Sequence, residues 1–208
     1  MNCPQCGRSK KHYCPNCYIS LIDKTLIPQL ILPLHVSVLQ HPKEKVERSS
    51  IISAKILAPN NVDIYRTTEL PNIHLDPKDT LFLYPTKDAN SVKGVDKNLL
   101  KNIKHLLMID STWAQVQIFL KLPEVRKLTT VKITAEETTF WRYQDVDSTN
   151  LATVEALYLF FKEYDEVMSE SEYDGKYDNL LYFYTYNYNI IQEVYMKEKK
   201  EVLYLVHP

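Results

Sequence analysis

The three glycines of the 208 residues, Gly7, Gly94 and Gly175, lie too far apart for a Gly-x-Gly-x-x-Gly turn or a P-loop, so any nucleotide-like ligand must be held by another architecture. A hydrophobic content of 45% with 25% charged residues is that of a globular protein, and no apolar run reaches membrane-spanning length. The net charge of −1 hides an asymmetry: residues 1–134 carry 19 Lys and Arg against 11 Asp and Glu, a balance of +8, whereas residues 135–208 carry 6 against 15, a balance of −9. Such a split is compatible with a basic face that meets phosphate and an acidic end left in solvent, or with a solvated helical tail that has no partner. The N-terminus lacks the apolar core of a signal peptide, which points to an intracellular protein without a membrane partner.

All four cysteines lie in the first seventeen residues, as Cys3-Pro4-Gln5-Cys6 and Cys14-Pro15-Asn16-Cys17. Two Cys-x-x-Cys knuckles on a short connection can set four thiolates tetrahedrally around one structural zinc ion. Disulfides or a redox pair are the alternatives; an intracellular setting disfavours the first and the paired spacing the second. Residues 1–18 are therefore expected to form a zinc knuckle and 19–208 the main domain.

Ile31 to Leu39 reads as a first buried strand that ends in Gln40-His41-Pro42-Lys43-Glu44. A helix is expected over Lys45 to Leu57, which would gather His41, Lys43 and Arg48 at a strand-to-helix corner. A short strand at Val62–Tyr65 follows, then a loop punctuated by Pro71 and Pro77. Thr80 to Tyr84 reads as a second buried strand stopped by Pro85. A polar helix is expected from Val95 to Lys104.

Leu106-Leu107-Met108-Ile109 then runs directly into Asp110-Ser111-Thr112-Trp113. A continuous apolar run of this kind is a strand buried on both faces, and ligands of open α/β sheets bind beyond the carboxyl ends of such strands. The plainer reading makes Ser111 or Thr112 a helix cap and Trp113 core. Gln115 to Leu122 is amphipathic, Thr129 to Thr134 alternates as a strand, and a helix is expected from about Asn150 or Thr153 to Tyr164. Glu155 falls early in that helix, where the dipole favours a negative charge. Asp178 to Lys200 reads as a long, tyrosine-rich helix, with core packing as the leading role for its rings.

These motifs, taken in order, resemble the DTW-domain tRNA-uridine aminocarboxypropyltransferases. The resemblance rests on the cysteine knuckles, His41-Pro42-Lys43-Glu44, Leu83-Tyr84-Pro85, Asp110-Ser111-Thr112-Trp113, Phe140-Trp141-Arg142-Tyr143-Gln144 and Leu151-Ala152-Thr153-Val154-Glu155-Ala156. Phe140 to Gln144 looks most like the eukaryotic branch that acts on a D-loop uridine. Two positions depart from the pattern: Ala152 stands where the family often has Ser, and Ile51-Ile52 where it often has Asn-Thr.

The resemblance implies a SPOUT-like α/β sheet with flanking helices, a fold that can carry a trefoil knot, and intracellular work in the nucleus, the cytoplasm or both. It implies transfer of the 3-amino-3-carboxypropyl group of S-adenosylmethionine to N3 of a tRNA uridine, with release of 5′-methylthioadenosine. By the same resemblance Asp110, Thr112, Trp113 and Glu155 are the expected catalytic set, with Asp110 as the base and Glu155 in reserve. Leu83, Tyr84, Pro85, Ser111, Leu151 and Thr153 would line the cofactor, and His41, Lys43, Arg48 and Arg142 would face tRNA. Cys3, Cys6, Cys14 and Cys17 would hold zinc, and no obligate protein partner is implied. A SPOUT-type RNA methyltransferase and a non-enzymatic zinc-ribbon RNA adaptor are the competing classes.

Overall fold

The computed structural model describes residues 1–112, 114–134 and 151–186. In chain order these form β1 (Tyr13–Cys14), β2 (Ile19–Ser20), β3 (His35–Gln40), α1 (Ile51–Leu57), β4 (Val62–Arg66), β5 (Thr80–Leu83), β6 (Asn90–Ser91), α2 (Lys97–Leu100), β7 (His105–Asp110), α3 (Gln117–Leu120), α4 (Pro123–Arg126), β8 (Thr129–Lys132) and α5 (Thr153–Ser169), with short 3-10 turns between them. β1 and β2 make a small antiparallel hairpin, while the other six strands form one sheet in the order β4-β3-β7-β5-β8-β6. Every pairing in that sheet is parallel. β7 is thus inserted between β3 and β5, both of which precede it in the chain.

The pleat explains how the two faces are filled. Val36, Val38, Leu81, Leu83, Leu106 and Met108 alternate onto one face, where they pack with Ile51 and Ala54 of α1 and Val154, Leu157 and Phe161 of α5. Leu39, Phe82 and Leu107 fall on the other face, against Phe119, Val125 and Leu128 from the α3–α4 segment. Burial on both faces is why these strands read as unbroken apolar runs rather than as alternating ones.

Several expected elements differ in extent. The first strand begins at His35, and Ile31 is 88% exposed, because Pro33 interrupts the run and cannot donate to a ladder. The helix expected over Lys45 to Leu57 is a 3-10 turn at Val46–Arg48 followed by α1, so Ser49 and Ser50 sit at a break and not inside a helix. The helix of Val95 to Lys104 is only Lys97–Leu100, started by the Asp96 carboxylate accepting from the Asn98 N–H. Gln115 to Leu122 likewise contracts to α3, whereas α5 runs further than expected, to Ser169. Of the tyrosine-rich tail, Asp178–Leu181 is a 3-10 turn leading into helical residues 182–186; the remainder, with Tyr188 and Tyr195, lies outside the described residues. Phe183 and Tyr184 are core, as their apolar spacing implies.

The N-terminal segment is packed onto this body. Tyr13, Tyr18 and Ile22 meet Ile52, Ile56, Leu57 and Phe183, with the Tyr13 and Phe183 rings edge-to-face at 5.1 Å. No helix among the described residues is long and apolar enough to cross a membrane.

Candidate active site

Parity along the strands builds this site. Gln40 follows Val36 and Val38, and Asp110 follows Leu106 and Met108, so both polar residues end their strands on the face that carries α1 and α5. They are also register partners across the β3–β7 pairing. The Asp110 carboxylate, 8% exposed, is consequently met from three directions. Gln40 Nε2 donates to Oδ2 at 2.8 Å, Ser49 Oγ donates to the same oxygen at 2.7 Å, and Thr153 Oγ1 donates to Oδ1 at 2.7 Å. A carboxylate has about four acceptor positions, so roughly one, on Oδ1, is left over. Burial of this charge is tolerated because it is hydrogen-bonded on both oxygens.

Asp110 thereby ties together the end of β3, the turn before α1, the end of β7 and the start of α5. A second bond reinforces the junction, the Val154 N–H donating to Ser50 Oγ at 3.2 Å. The His41–Glu44 loop is braced in turn. Arg66 donates to Gln40 Oε1 at 2.6 Å and to the carbonyls of Pro42 and Glu44 at 2.8 and 3.1 Å. Glu44 Oε1 accepts from the Thr112 N–H at 3.0 Å, linking this loop to the residues after β7.

Other expected site residues fall around this hub. Leu83 is buried at the end of β5, Tyr84 is half-buried with its ring stacked on Phe82, and Pro85 is exposed. Burial holds the Tyr84 phenol above its usual range. Ser111 is half-buried and Thr112 exposed; Thr112 opens a turn in which its carbonyl accepts from the N–H groups of Gln115 and Val116. Leu151 and Thr153 flank Ala152, the N-cap of α5. Ala152 has no side-chain acceptor, so only half of a capping box is made, the Glu155 carboxylate accepting from the Ala152 N–H at 2.8 Å. Glu155 is 5% exposed, and that bond orients it toward the helix end.

The RNA-facing set divides. Lys43 and Arg48 are exposed, but His41 is 8% exposed, with its Nδ1 accepting from the Lys43 N–H and its ring edge-on to Phe119. His41 is therefore a brace of the loop and offers little surface to a nucleic acid. Trp113 and Arg142 lie outside the described residues. Gln40, Ser49, Ser50 and Arg66 were not among the expected site residues. A polar residue closing an otherwise apolar strand was the available signal for Gln40; the helix expected over 45–57 concealed the two serines.

At the knuckle, the ligand atoms of Cys3, Cys6, Cys14 and Cys17 all lie within 4.8 Å of one another, and no cysteine is in a disulfide. Burial raises the Cys3 thiol, but hydrogen bonds from the backbone N–H groups of Cys6 and Gln5 and from the Cys14 and Cys6 thiols outweigh it and bring it down to about 7. Burial and the neighbouring thiols instead push Cys17 up to about 12. Gly7 and Tyr18, each following the second cysteine of its knuckle, both have positive φ, at 68° and 53°. Four convergent sulfurs, with backbone donors on one of them, fit a closed zinc site, which would be structural.

Adjacent strands β3 and β7 send their chains off in opposite directions, β3 toward β4 and β7 toward β8, so Gln40 and Asp110 stand at the switch point of the sheet. The fold and site together define a parallel α/β protein with a buried, hydrogen-bonded polar junction at the carboxyl ends of its central strands, the position at which open α/β sheets bind ligands. The chain belongs to the DTW-domain family, whose profile matches residues 2–192. It is similar to tRNA-uridine aminocarboxypropyltransferase 1 of Rattus norvegicus, 29% identical over 92% of this chain and 77% of that one. It is also similar to the protein of that name in Homo sapiens, 28% identical over 99% of this chain and 81% of that one. A solved structure, the SAM-dependent rRNA:acp-transferase Tsr3 from Vulcanisaeta distributa, aligns with a TM-score of 0.44 at 17% identity, covering 76% of this chain and 83% of that one.

Proposed function

We propose that this protein is a tRNA-uridine aminocarboxypropyltransferase, which moves the 3-amino-3-carboxypropyl group of S-adenosylmethionine to N3 of a tRNA uridine. The observation that carries this reading is family membership across residues 2–192, with relatives of that name matching over nearly the whole chain. A sulfonium activates three carbons, so the protein's task is to present one of them and turn the methyl group away, which is a matter of orientation. Leu83, Tyr84 and Pro85 after β5, Ser111 after β7, and Leu151 to Thr153 before α5 are the residues we assign to that pocket. Their support is the Asp110 junction, which holds two of these three segments against each other.

Uridine N3 carries a proton that must leave before or during attack. We assign its removal to Asp110, through the acceptor position of Oδ1 that Thr153 does not use. Glu155, committed to the N-terminus of α5, is an orienting residue in this scheme, and Thr112 and Trp113 flank the reacting base. Lys43, Arg48 and Arg142 are assigned to tRNA phosphate, and the preference for a D-loop uridine rests on Phe140 to Gln144. A SPOUT-like topology is supported by the insertion of β7 between the earlier strands β3 and β5. Residues 1–18, with β2 closing their hairpin at Ile19–Ser20, act as a zinc knuckle that braces the fold, and the remainder of 19–208 acts as the catalytic domain.

The test is nucleoside mass spectrometry of tRNA incubated with the protein and S-adenosylmethionine. The expected result is an aminocarboxypropyl uridine with 5′-methylthioadenosine as the by-product. S-adenosylhomocysteine would mean a methyltransferase. No binding of S-adenosylmethionine in a calorimetric titration would mean an RNA adaptor.

A further inference from the structure

The opposite end of the sheet, where the strands begin, holds a second convergence of metal-binding side chains. β3 and β7 both begin with histidine, His35 and His105, which are register partners at the amino ends of their strands. The loop between β4 and β5 returns to the same end and brings His74 and Asp79. The ligand atoms of His74, Asp79 and His105 all lie within 4.8 Å of one another. His74 Nε2 is 2.9 and 3.0 Å from the two Asp79 oxygens, and the His74 and His105 rings are 4.7 Å apart at 44°.

We infer that His74, Asp79 and His105 form a second divalent-cation site, with zinc as its preferred occupant. Two imidazoles and one carboxylate are a ligand set suited to zinc and its late first-row neighbours, and three protein ligands leave one position for water. A histidine–aspartate pair accounts for His74 and Asp79, and ring packing on His74 and His35 for the position of His105. Yet one ligand atom from each of His74, Asp79 and His105 meets within a single ion's reach, and that convergence carries the inference. Asp79 is further oriented from behind, since Thr80 Oγ1 donates to its Oδ1 at 3.1 Å, the kind of outer contact that fixes a ligating carboxylate. His35 stands outside the cluster: the ligand atoms that converge are those of His74, Asp79 and His105, and His35 Nε2 is instead 3.1 Å from Asp63 Oδ2. The site lies across the sheet from Asp110 and takes no part in the chemistry there. It clamps the loop that leads into β5 onto the start of β7, the two strands whose far ends carry Leu83 and Asp110.

Zinc titration of the full chain, with metal counted by elemental analysis after desalting, tests this. Wild type should take up two equivalents and Cys14→Ser one. His105→Gln and Asp79→Asn should each lose the second equivalent, with at least tenfold weaker uptake at that site, while keeping the cysteine-bound ion. Asp79→Asn preserves shape and a hydrogen bond to His74, so its loss of metal cannot be assigned to misfolding. Zinc should also slow amide exchange over residues 67–79 in wild type and not in His105→Gln. Uptake of only one equivalent by wild type together with none by Cys14→Ser at saturating zinc, or uptake of two equivalents by wild type, His105→Gln and Asp79→Asn alike, would overturn the proposal.

Discussion

Asp110 shows how much one buried carboxylate can organise. Its three hydrogen bonds come from residues 40, 49 and 153, so the chain must be folded across more than a hundred residues before the charge is satisfied. Asp110→Asn is expected to remain folded. An amide oxygen in the place of Oδ2 keeps Gln40 and Ser49, and the amide nitrogen then faces the Thr153 hydroxyl, which can turn to accept. The amide cannot take the proton from N3, and loss of a general base typically costs about 10²–10⁴ in rate. Steady-state turnover with saturating tRNA and S-adenosylmethionine checks this; near-wild-type turnover would remove Asp110 from the role of base and leave it as a positioning residue.

Among the elements, α5 is held at its start by contacts rather than by its own cap. Ala152 leaves the capping box half made, so Ala152→Ser should add the missing acceptor toward the N3 backbone and stabilise the protein by about 1 kcal/mol. Urea denaturation would register the change as a higher midpoint at constant slope, and a lowered midpoint would mean that the packing around residue 152 has no room for the hydroxyl. The knuckle is a second element whose stability is borrowed, since a hairpin of two-residue strands buries little by itself. Cys14→Ser should release the cysteine-bound zinc and, because Tyr13 and Tyr18 pack on α1 and Phe183, raise amide exchange along Ile51–Leu57. Unchanged exchange there would mean that the knuckle folds without its ion.

At the scale of the whole molecule, the charge asymmetry bears on the proposed association with tRNA. The +8 balance of residues 1–134 predicts tRNA affinity that falls steeply with salt, because each neutralised phosphate releases counterions. Replacing Lys43, Arg48 and Arg142 together should weaken tRNA binding and flatten the log–log salt slope by about 2–3, with S-adenosylmethionine affinity nearly unchanged. Filter binding across a salt series, beside a calorimetric titration of the cofactor, separates the two effects. Equal loss of both would show these residues to be part of the fold at the His41–Arg48 corner and not an RNA face.

The sequence by itself determined an α/β sheet with strands buried on both faces and the carboxyl ends of β3 and β7, while the start of β3 at His35 emerged only in the fold. Strands buried on both faces must be written as continuous apolar runs, and a polar residue after such a run, as at Asp110 or Gln40, has to lie at the carboxyl end of its strand. Cysteine spacing determined the knuckle for a similar reason, since chemistry requires four sulfurs within one ion's reach. Helix lengths were less legible: Lys45 to Leu57 has helical composition, yet tertiary bonds from Ser49 and Ser50 to Asp110 and Val154 favour a break there. Only the tertiary structure decided which distant residues share a site. Hydrogen bonding between Arg66 and Gln40, or the meeting of His74, Asp79 and His105, depends on strand order and register, and these are set by packing among segments far apart in the chain, which local pattern does not encode.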